Sequence, residues 1–261
     1  MSEKEVLITV VTICYNAVSE IENTILSVIN QSYDNIEYIV IDGHSNDGTV
    51  DVIKKYQDRI TKWVSEPDKG IYDAMNKGIS LATGKYINFM NAGDCFYDND
   101  VVSNISKYTD KNATIIYGNT LMRYPSYNIV TKPFPIEDLS WHMAFGHQSS
   151  FISLDYQKSH PYSLKYRSSS DYDFFYHAYM DNVSFYYVDL LVANYEATKG
   201  VSSVSFKLVE NEMADILGVN TNLAWRINLE IRYLWYCIKQ KIKTCLPASL
   251  VKNIKIWNLN R

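Results

Sequence analysis

Residues 6–14 (VLITVVTIC) form an unbroken, mostly β-branched apolar run, the pattern of a strand buried on both faces. Ser19 and Glu22 then stand at capping-box spacing, and Ile21, Ile25, Val28 and Ile29 recur at helical spacing. A helix is therefore expected there. The apolar run 36–41 predicts a second strand, followed by the polar, Gly-bearing loop DGHSNDG and a helix over about 49–56. A third strand is expected near 61–65, then the loop EPDKG and a helix to about 82, ended by Gly84. Residues 86–90 read as a fourth strand. Strand alternating with helix three times over predicts right-handed βαβ crossovers, hence an α/β chain with a mostly parallel sheet.

In such sheets, ligands bind outside the carboxyl ends of the strands. The four exits are Tyr15 and Asn16, then Asp42, then Glu66 and Asp68, then Asn91 and Asp94. Every exit after the first places a carboxylate on one edge, although Asp and Asn are also ordinary turn residues. An acidic edge repels a bare phosphate. It binds one well through a divalent cation, whose preference for hard oxygen suits Asp and phosphate together. The chain has no GxGxxG after the first strand, no GxxxxGK[ST] and no HExxH. Dinucleotide-binding Rossmann enzymes and P-loop NTPases are therefore disfavoured. What remains is a metal–nucleotide site of another kind.

The 261 residues can build one large α/β domain or two small lobes. With 47% apolar and 21% charged residues the composition is globular, and 10 Gly and 6 Pro leave no room for collagen-like or disordered classes. The opening MSEKEV lacks the basic region of a secretory signal, and no apolar stretch has membrane-spanning length. The four cysteines form no CxxC pair, so a reduced, cytosolic compartment is expected. The net charge of −4 conceals an asymmetry. Residues 226–261 hold eight Lys or Arg against one acid, Glu230, leaving 17 of the 25 basic and 28 of the 29 acidic residues for the rest. An acidic body with a basic tail argues against nucleic acid as partner and for an anionic contact at the tail.

The strings VVTICYNA, IVIDGHSNDGT and SEPDKGIYDAMNKGISLATGKYINFMNAGD, in that order, resemble the family-2 glycosyltransferases. The likeness covers residues 6–98 and runs more thinly to about 200. It implies the GT-A fold, a mostly parallel sheet flanked by helices, here with a C-terminal helical extension. It divides the body of the chain into a nucleotide-sugar-binding half (1–98) and an acceptor-binding half of the same domain (99–205), and charge and apolar spacing add basic amphipathic helices (206–261). It implies an inverting hexosyl- or N-acetylhexosaminyl-transferase that takes sugar from a nucleoside-diphosphate sugar, with UDP-sugar as the expected donor. The acceptor would be a glycan or lipid-linked saccharide in surface-polysaccharide synthesis.

By that resemblance Tyr15 and Asn16 border the base, and Asp42 matches the first carboxylate of an Asp-Asp-Gly-Ser motif. Gly43 stands where many members carry a second Asp. Asp68, Lys69 and Asp73 match the loop and helix start near the nucleotide. Where the family has a D-x-D or D-D pair, this chain has Asn91-Ala92-Gly93-Asp94, so only Asp94 keeps a carboxylate for Mn²⁺ or Mg²⁺. One carboxylate with phosphate oxygens and waters still suffices for such ions. In FGHQSSF (145–151), His147 is placed towards the diphosphate or metal, a purely structural role being the alternative. In RSSSDYDFFYHAYM, Asp171 matches the general base at a helix start, with Asp173 as its possible substitute.

Two other readings compete. DGHSNDG lies between a strand and a helix like a nucleophile elbow, but Asp47 stands where G-x-S-x-G needs its last Gly, so a Ser hydrolase centred on Ser45 is disfavoured. A weakened transferase kept as a nucleotide-sugar-binding or scaffold protein is the second. At the tail, Leu223, Ile227, Ile231, Leu234, Ile238 and Ile242 recur at steps of three or four, with Lys239, Lys241 and Lys243 at the end. Pro247 breaks the pattern. Leu250, Val251, Ile254 and Trp257 form a second stripe with Lys252 and Lys255 off it, and three of the five Trp residues (Trp225, Trp235, Trp257) lie in this region. The expectation is an interfacial helix over 222–261 on an anionic membrane, at the inner face. Packing on the catalytic domain or on a second copy, in a homo-oligomer, is the alternative.

Overall fold

The computed structural model describes residues 5–198, 205–220 and 222–259. In chain order the elements are β1 (Ile8–Cys14), α1 (Ile21–Ile29), β2 (Ile36–Asp42), α2 (Thr49–Lys55), β3 (Lys62–Ser65), α3 (Ile71–Leu81) and β4 (Tyr86–Phe89). Then follow β5 (Cys95–Phe96), α4 (Val101–Ser106), β6 (Ile115–Tyr124), β7 (Tyr127–Thr131), β8 (Ser150–Ser153), α5 (Leu154–Ser159) and α6 (Ser170–Met180). The last are β9 (Phe185–Glu196), α7 (Phe206–Ile216), α8 (Leu223–Cys245) and α9 (Ala248–Leu259).

The strands join in one sheet of order β3-β2-β1-β4-β8-β6-β9-β5, with β7 paired to β6. The β3-β2-β1-β4 part is parallel throughout, as the alternation of strand and helix predicts. Beyond it β8 runs antiparallel between β4 and β6, and β9 lies parallel to β6. β1 is buried along its whole length because the sheet is covered on both faces. Val10 faces a core with Ile21, Ile25 and Ile53 of α1 and α2. Its neighbour Val11 faces a second core with Met75 and Ile79 of α3 and Phe175 of α6.

Two local expectations need correction. The capping box does not form: α1 begins at Ile21 with Glu20 as its cap residue and no side-chain cap. The Ala17 carbonyl instead accepts the N–H groups of Glu20 and Ile21, which leaves Ser19 in the preceding turn. Glu22 is used elsewhere, accepting from Lys55 Nζ and Tyr56 OH, both at 2.6 Å. Gly84 is also no helix cap, since α3 ends at Leu81. A Cβ at residue 84 would lie 2.8 Å from the Leu7 carbonyl oxygen, so glycine lets this loop lie against β1.

At the C-terminal end α7 and α8 pack on each other. Phe206 stacks on Tyr236 at 4.7 Å, Leu229 is buried, and Lys207–Glu230 and Arg232–Glu210 pair across the two helices. α9 returns to lie beside β7. The side chains of Lys243, Lys255 and Trp257 lie outside the described residues. Among the described residues no helix is long and apolar enough to cross a membrane, and Cys14, Cys95 and Cys237 are free thiols.

Candidate active site

The exits of β1 and β2 form one hydrogen-bonded knot. Asn16 takes the left-handed conformation (φ 48°), which Asn tolerates better than most residues. Its N–H donates to Ser45 Oγ at 2.8 Å, and its Oδ1 accepts from the Asn46 N–H at 3.1 Å. Asp42 is fully buried. It accepts from Ser45 Oγ, from the Ser45 N–H at 3.0 Å and from Ser65 Oγ at 2.6 Å. Asp42 thereby shapes the loop, and Ser45 is committed to it rather than to a base. Burial and the Asp42 carboxylate push the Cys14 thiol far up, so it is inert.

Gly43 has a steric reason. A Cβ there would stand 2.4 Å from Asp68 Oδ2 and 3.3 Å from Tyr15 Cδ2. The carboxylate of Asp68 thus occupies the place into which a side chain at 43 would project, beside the exposed Tyr15 ring. Asp68 Oδ1 accepts from the Gly70 N–H at 2.8 Å, and Asp73 Oδ2 from the Lys69 N–H at 3.0 Å. These bonds fix the start of α3.

A cavity of about 520 Å³ opens beside this knot. Asn91, Asp94, His147 and Asp171, expected from the sequence, all line it. Tyr15, Asn16, Asp42, Asp68 and Lys69 lie at the neighbouring strand exits and Asp73 in the first turn of α3, all outside its wall. Asp171 sits in the first turn of α6. Its Oδ1 accepts from Tyr72 OH at 2.9 Å and from the Tyr172 N–H at 3.0 Å, and its Oδ2 lies 3.3 Å from His147 Nδ1. Burial raises its pKa, but His147, Tyr72 and the Tyr172 N–H together outweigh burial and hold it below the usual aspartate value. Asp173 turns to His177 at 3.5 Å and is not part of the cavity wall.

His147 bridges the exit of β4 and the start of α6. Its Nε2 is 3.3 Å from Asn91 Nδ2, and the Asn91 Oδ1 is buried without a hydrogen-bond partner. The hydroxyls of Ser168 and Ser169, also in the cavity wall, are likewise buried without a partner. Such groups are costly unless a ligand or water meets them.

Asp94 is 6% exposed. Its Oδ2 accepts from Gln148 Nε2 at 3.0 Å and its Oδ1 from the Glu196 N–H at 3.2 Å. Burial, against the pull of Gln148, His147, the Glu196 N–H and Arg123, pushes its pKa up to about 6. Among the described residues no three His, Cys, Asp or Glu side chains gather as a metal cage. The donor set of Asp94 and the orphaned Asn91 oxygen nevertheless fits a hard cation that brings most of its own oxygen ligands. Two hard oxygens are on offer, and a buried carboxylate short of positive charge faces the cavity.

Sequence reasoning passed over Tyr72, Gln148, Arg123 and Glu212. The first two stand inside the strings quoted above, next to residues that were singled out. Arg123 Nη2 donates to the Gly93 carbonyl at 2.7 Å and so stiffens the loop carrying Asp94. Glu212 of α7 accepts from the N–H groups of Arg167 and Ser168 at 2.7 and 2.9 Å, clamping the segment that leads into Asp171. Nothing in the local pattern of either residue signals this role.

Known proteins resemble the chain in sequence and in fold. An uncharacterized glycosyltransferase of Mycobacterium tuberculosis is 33% identical over 151 residues, 56% of this chain and 58% of that protein. The chain thus spans little more than half the length of that relative. A PGL/p-HBAD biosynthesis glycosyltransferase of the same organism is 24% identical over 242 residues, 90% of this chain and 91% of the relative. In fold, the chain is similar to Staphylococcus aureus TarS 1–349 solved with UDP-GlcNAc (TM-score 0.64, 13% identity, 83% of this chain and 72% of that one). It is equally similar to the mannosyltransferase PcManGT of Pyrobaculum calidifontis solved with GDP-Man and Mn²⁺ (TM-score 0.64, 15% identity, 82% and 63%). The α/β sheet is therefore of the GT-A type expected. The sequence profile described as Glycosyl transferase family 2 matches residues 9–169, well over half of the chain, and the chain belongs to that family.

Proposed function

We propose that the chain is an inverting glycosyltransferase that moves a sugar from a nucleoside-diphosphate sugar, UDP-sugar by preference, to a hydroxyl of a glycan or lipid-linked saccharide. The observation that carries this reading is Asp171: a carboxylate kept ionised by His147 and Tyr72 at the wall of a cavity. Its Oδ1 already holds two donors, which leaves Oδ2 as the freer oxygen to take the acceptor proton while the new bond forms. The unpartnered Ser168 and Ser169 hydroxyls beside it are polar contacts for an acceptor. The knot at Tyr15, Asn16, Asp42 and Asp68 is the proposed base site, with Lys69, Asp73 and Asn91 towards the rest of the nucleotide.

A divalent cation held by Asp94 and the Asn91 oxygen would neutralise charge on the leaving diphosphate. One base and no covalent nucleophile imply inversion at the anomeric carbon, as in inverting hydrolysis with a sugar hydroxyl in place of water. A scaffold protein would have no need of a buried acid held ionised.

The test is Asp171→Asn, which keeps shape and removes the base. Transfer is expected to fall roughly 10²–10⁴-fold, with nucleotide binding by calorimetry near normal. Transfer at the wild-type rate would move the base elsewhere. EDTA is expected to abolish transfer and Mn²⁺ or Mg²⁺ to restore it; full activity in EDTA would remove the cation from the reading.

A further inference from the structure

We propose that the outer face of α8 docks on an anionic lipid surface. α8 has two faces with different fates. Its inner face is already partnered: Leu229 is buried, and Tyr233 and Tyr236 lie against Phe206 of α7. Its outer face carries Leu223, Ile227, Ile231, Leu234, Ile238 and Ile242, and each is 37–71% exposed. Trp235 lies on the same side and is 57% exposed. The strip is therefore no core face of the catalytic domain, because the face that packs there is a different one. A contiguous apolar strip of this length on a free surface marks an interaction site.

Charge selects the occupant. Residues 226–261 hold eight basic residues and one acid. That acid, Glu230, is paired with Lys207 of α7 at 2.9 Å. At about 100° per residue, Lys239 and Lys241 border the strip on its two sides. A second copy seated on this face would set basic residues against basic residues, with no free acid on the helix to meet them. Phosphate headgroups offer the complementary charge. Tryptophan at the water boundary suits the same medium. α8 lies on the surface rather than across it, since no described helix is apolar enough to span.

The placement bears on the acceptor, in a step that rests on the proposed transfer. Val209 and Met213 of α7 line the catalytic cavity, and α7 is sandwiched between that cavity and α8. A docked α8 puts the cavity two helix layers, α7 and α8 itself, from the lipid, on the side of the molecule where a lipid-linked acceptor would lie.

The test uses the full chain and vesicles of phosphatidylcholine with or without phosphatidylglycerol. Co-sedimentation is expected with the phosphatidylglycerol vesicles only, and to weaken in high salt. Lys239→Glu combined with Lys241→Glu is expected to weaken it more than roughly 10-fold. Ile231→Glu is expected to remove it, with unchanged melting temperature and nucleotide binding. Failure to bind phosphatidylglycerol vesicles, or binding that survives Ile231→Glu, overturns the proposal. So does a dimer in ultracentrifugation that Ile231→Glu dissolves, which would assign the strip to a second copy. The assay reads no transfer, so its outcome is independent of the proposed reaction.

Discussion

Asp94 sits in an environment that disfavours its charged form. Its carboxyl is buried and receives only two neutral N–H donors directly, so its pKa is raised to about 6. A native pKa above the unfolded value means that the folded chain holds the extra proton between about pH 4 and 6. Stability from this group therefore falls as pH rises through that window and levels off above it. The size is of order 3 kcal/mol at about 1.4 kcal/mol per pH unit. Melting temperature is expected to decline from pH 4 to 6 more in the wild type than in Asp94→Asn, which removes the ionisation. Equal slopes would show that Asp94 is not the titrating group. The same residue shows what was legible beforehand. Its place at the exit of β4 follows from strand alternation, and its link to a cation from the family likeness. Its burial depends on Gln148 and Glu196, 54 and 102 residues away, which no local pattern announces.

At the scale of elements, the first half of the chain could be read because each strand is followed by its own helix and pairs with near neighbours. β1, β2, β3 and β4 fall within two residues of their expected bounds. The second half could not be read in this way. β6 pairs with β9 across about 70 residues, and β5 has only two residues, so neither length nor periodicity marks the order. The link between α7 and the segment before α6 is also non-local, and it is the more consequential. Glu212 holds two N–H groups just before Asp171, so α7, within the expected tail segment, holds the approach to the proposed base. Glu212→Gln turns one acceptor oxygen into a donor facing an N–H, which loses one bond and leaves a buried group unsatisfied. The expected result is a kcat lower by roughly 10- to 100-fold, the scale of small misplacements. Nucleotide affinity is expected to stay the same, because the proposed base-site knot lies at other strand exits. A parallel loss of nucleotide binding, or an unchanged kcat, would show that Glu212 does not position the base.

For the whole molecule the question is where the catalytic unit ends. The expected division placed a boundary at 205 and gave 206–261 to the tail. Within that segment α7 stands apart, since Val209 and Met213 wall the cavity and Glu212 clamps the segment leading to Asp171. α8 has a looser claim: it covers Phe206 and pairs with Lys207 and Glu210, all on α7, and sends no residue into the cavity wall. Two truncations separate these roles. Removal of residues 222–261 uncovers the half-buried Phe206, at a cost below the ~1.5–3 kcal/mol of a fully buried large apolar side chain, and the side of β7 beside α9. It leaves the β1–β9 sheet and the Glu212 clamp intact. That shortened chain is expected to fold, bind the nucleotide sugar and transfer to a water-soluble acceptor, while losing attachment to phosphatidylglycerol vesicles. Removal of residues 205–261 takes away the cavity wall and the clamp. That chain is expected to keep nucleotide binding, because the knot of Asn16, Asp42 and Asp68, the proposed base site, is built from residues before 70, and to lose transfer. The two chains are compared by calorimetry with the nucleoside diphosphate and by transfer rate. Transfer by the shorter chain would return α7 to the tail, and loss of nucleotide binding in both would make the helices part of the fold's core.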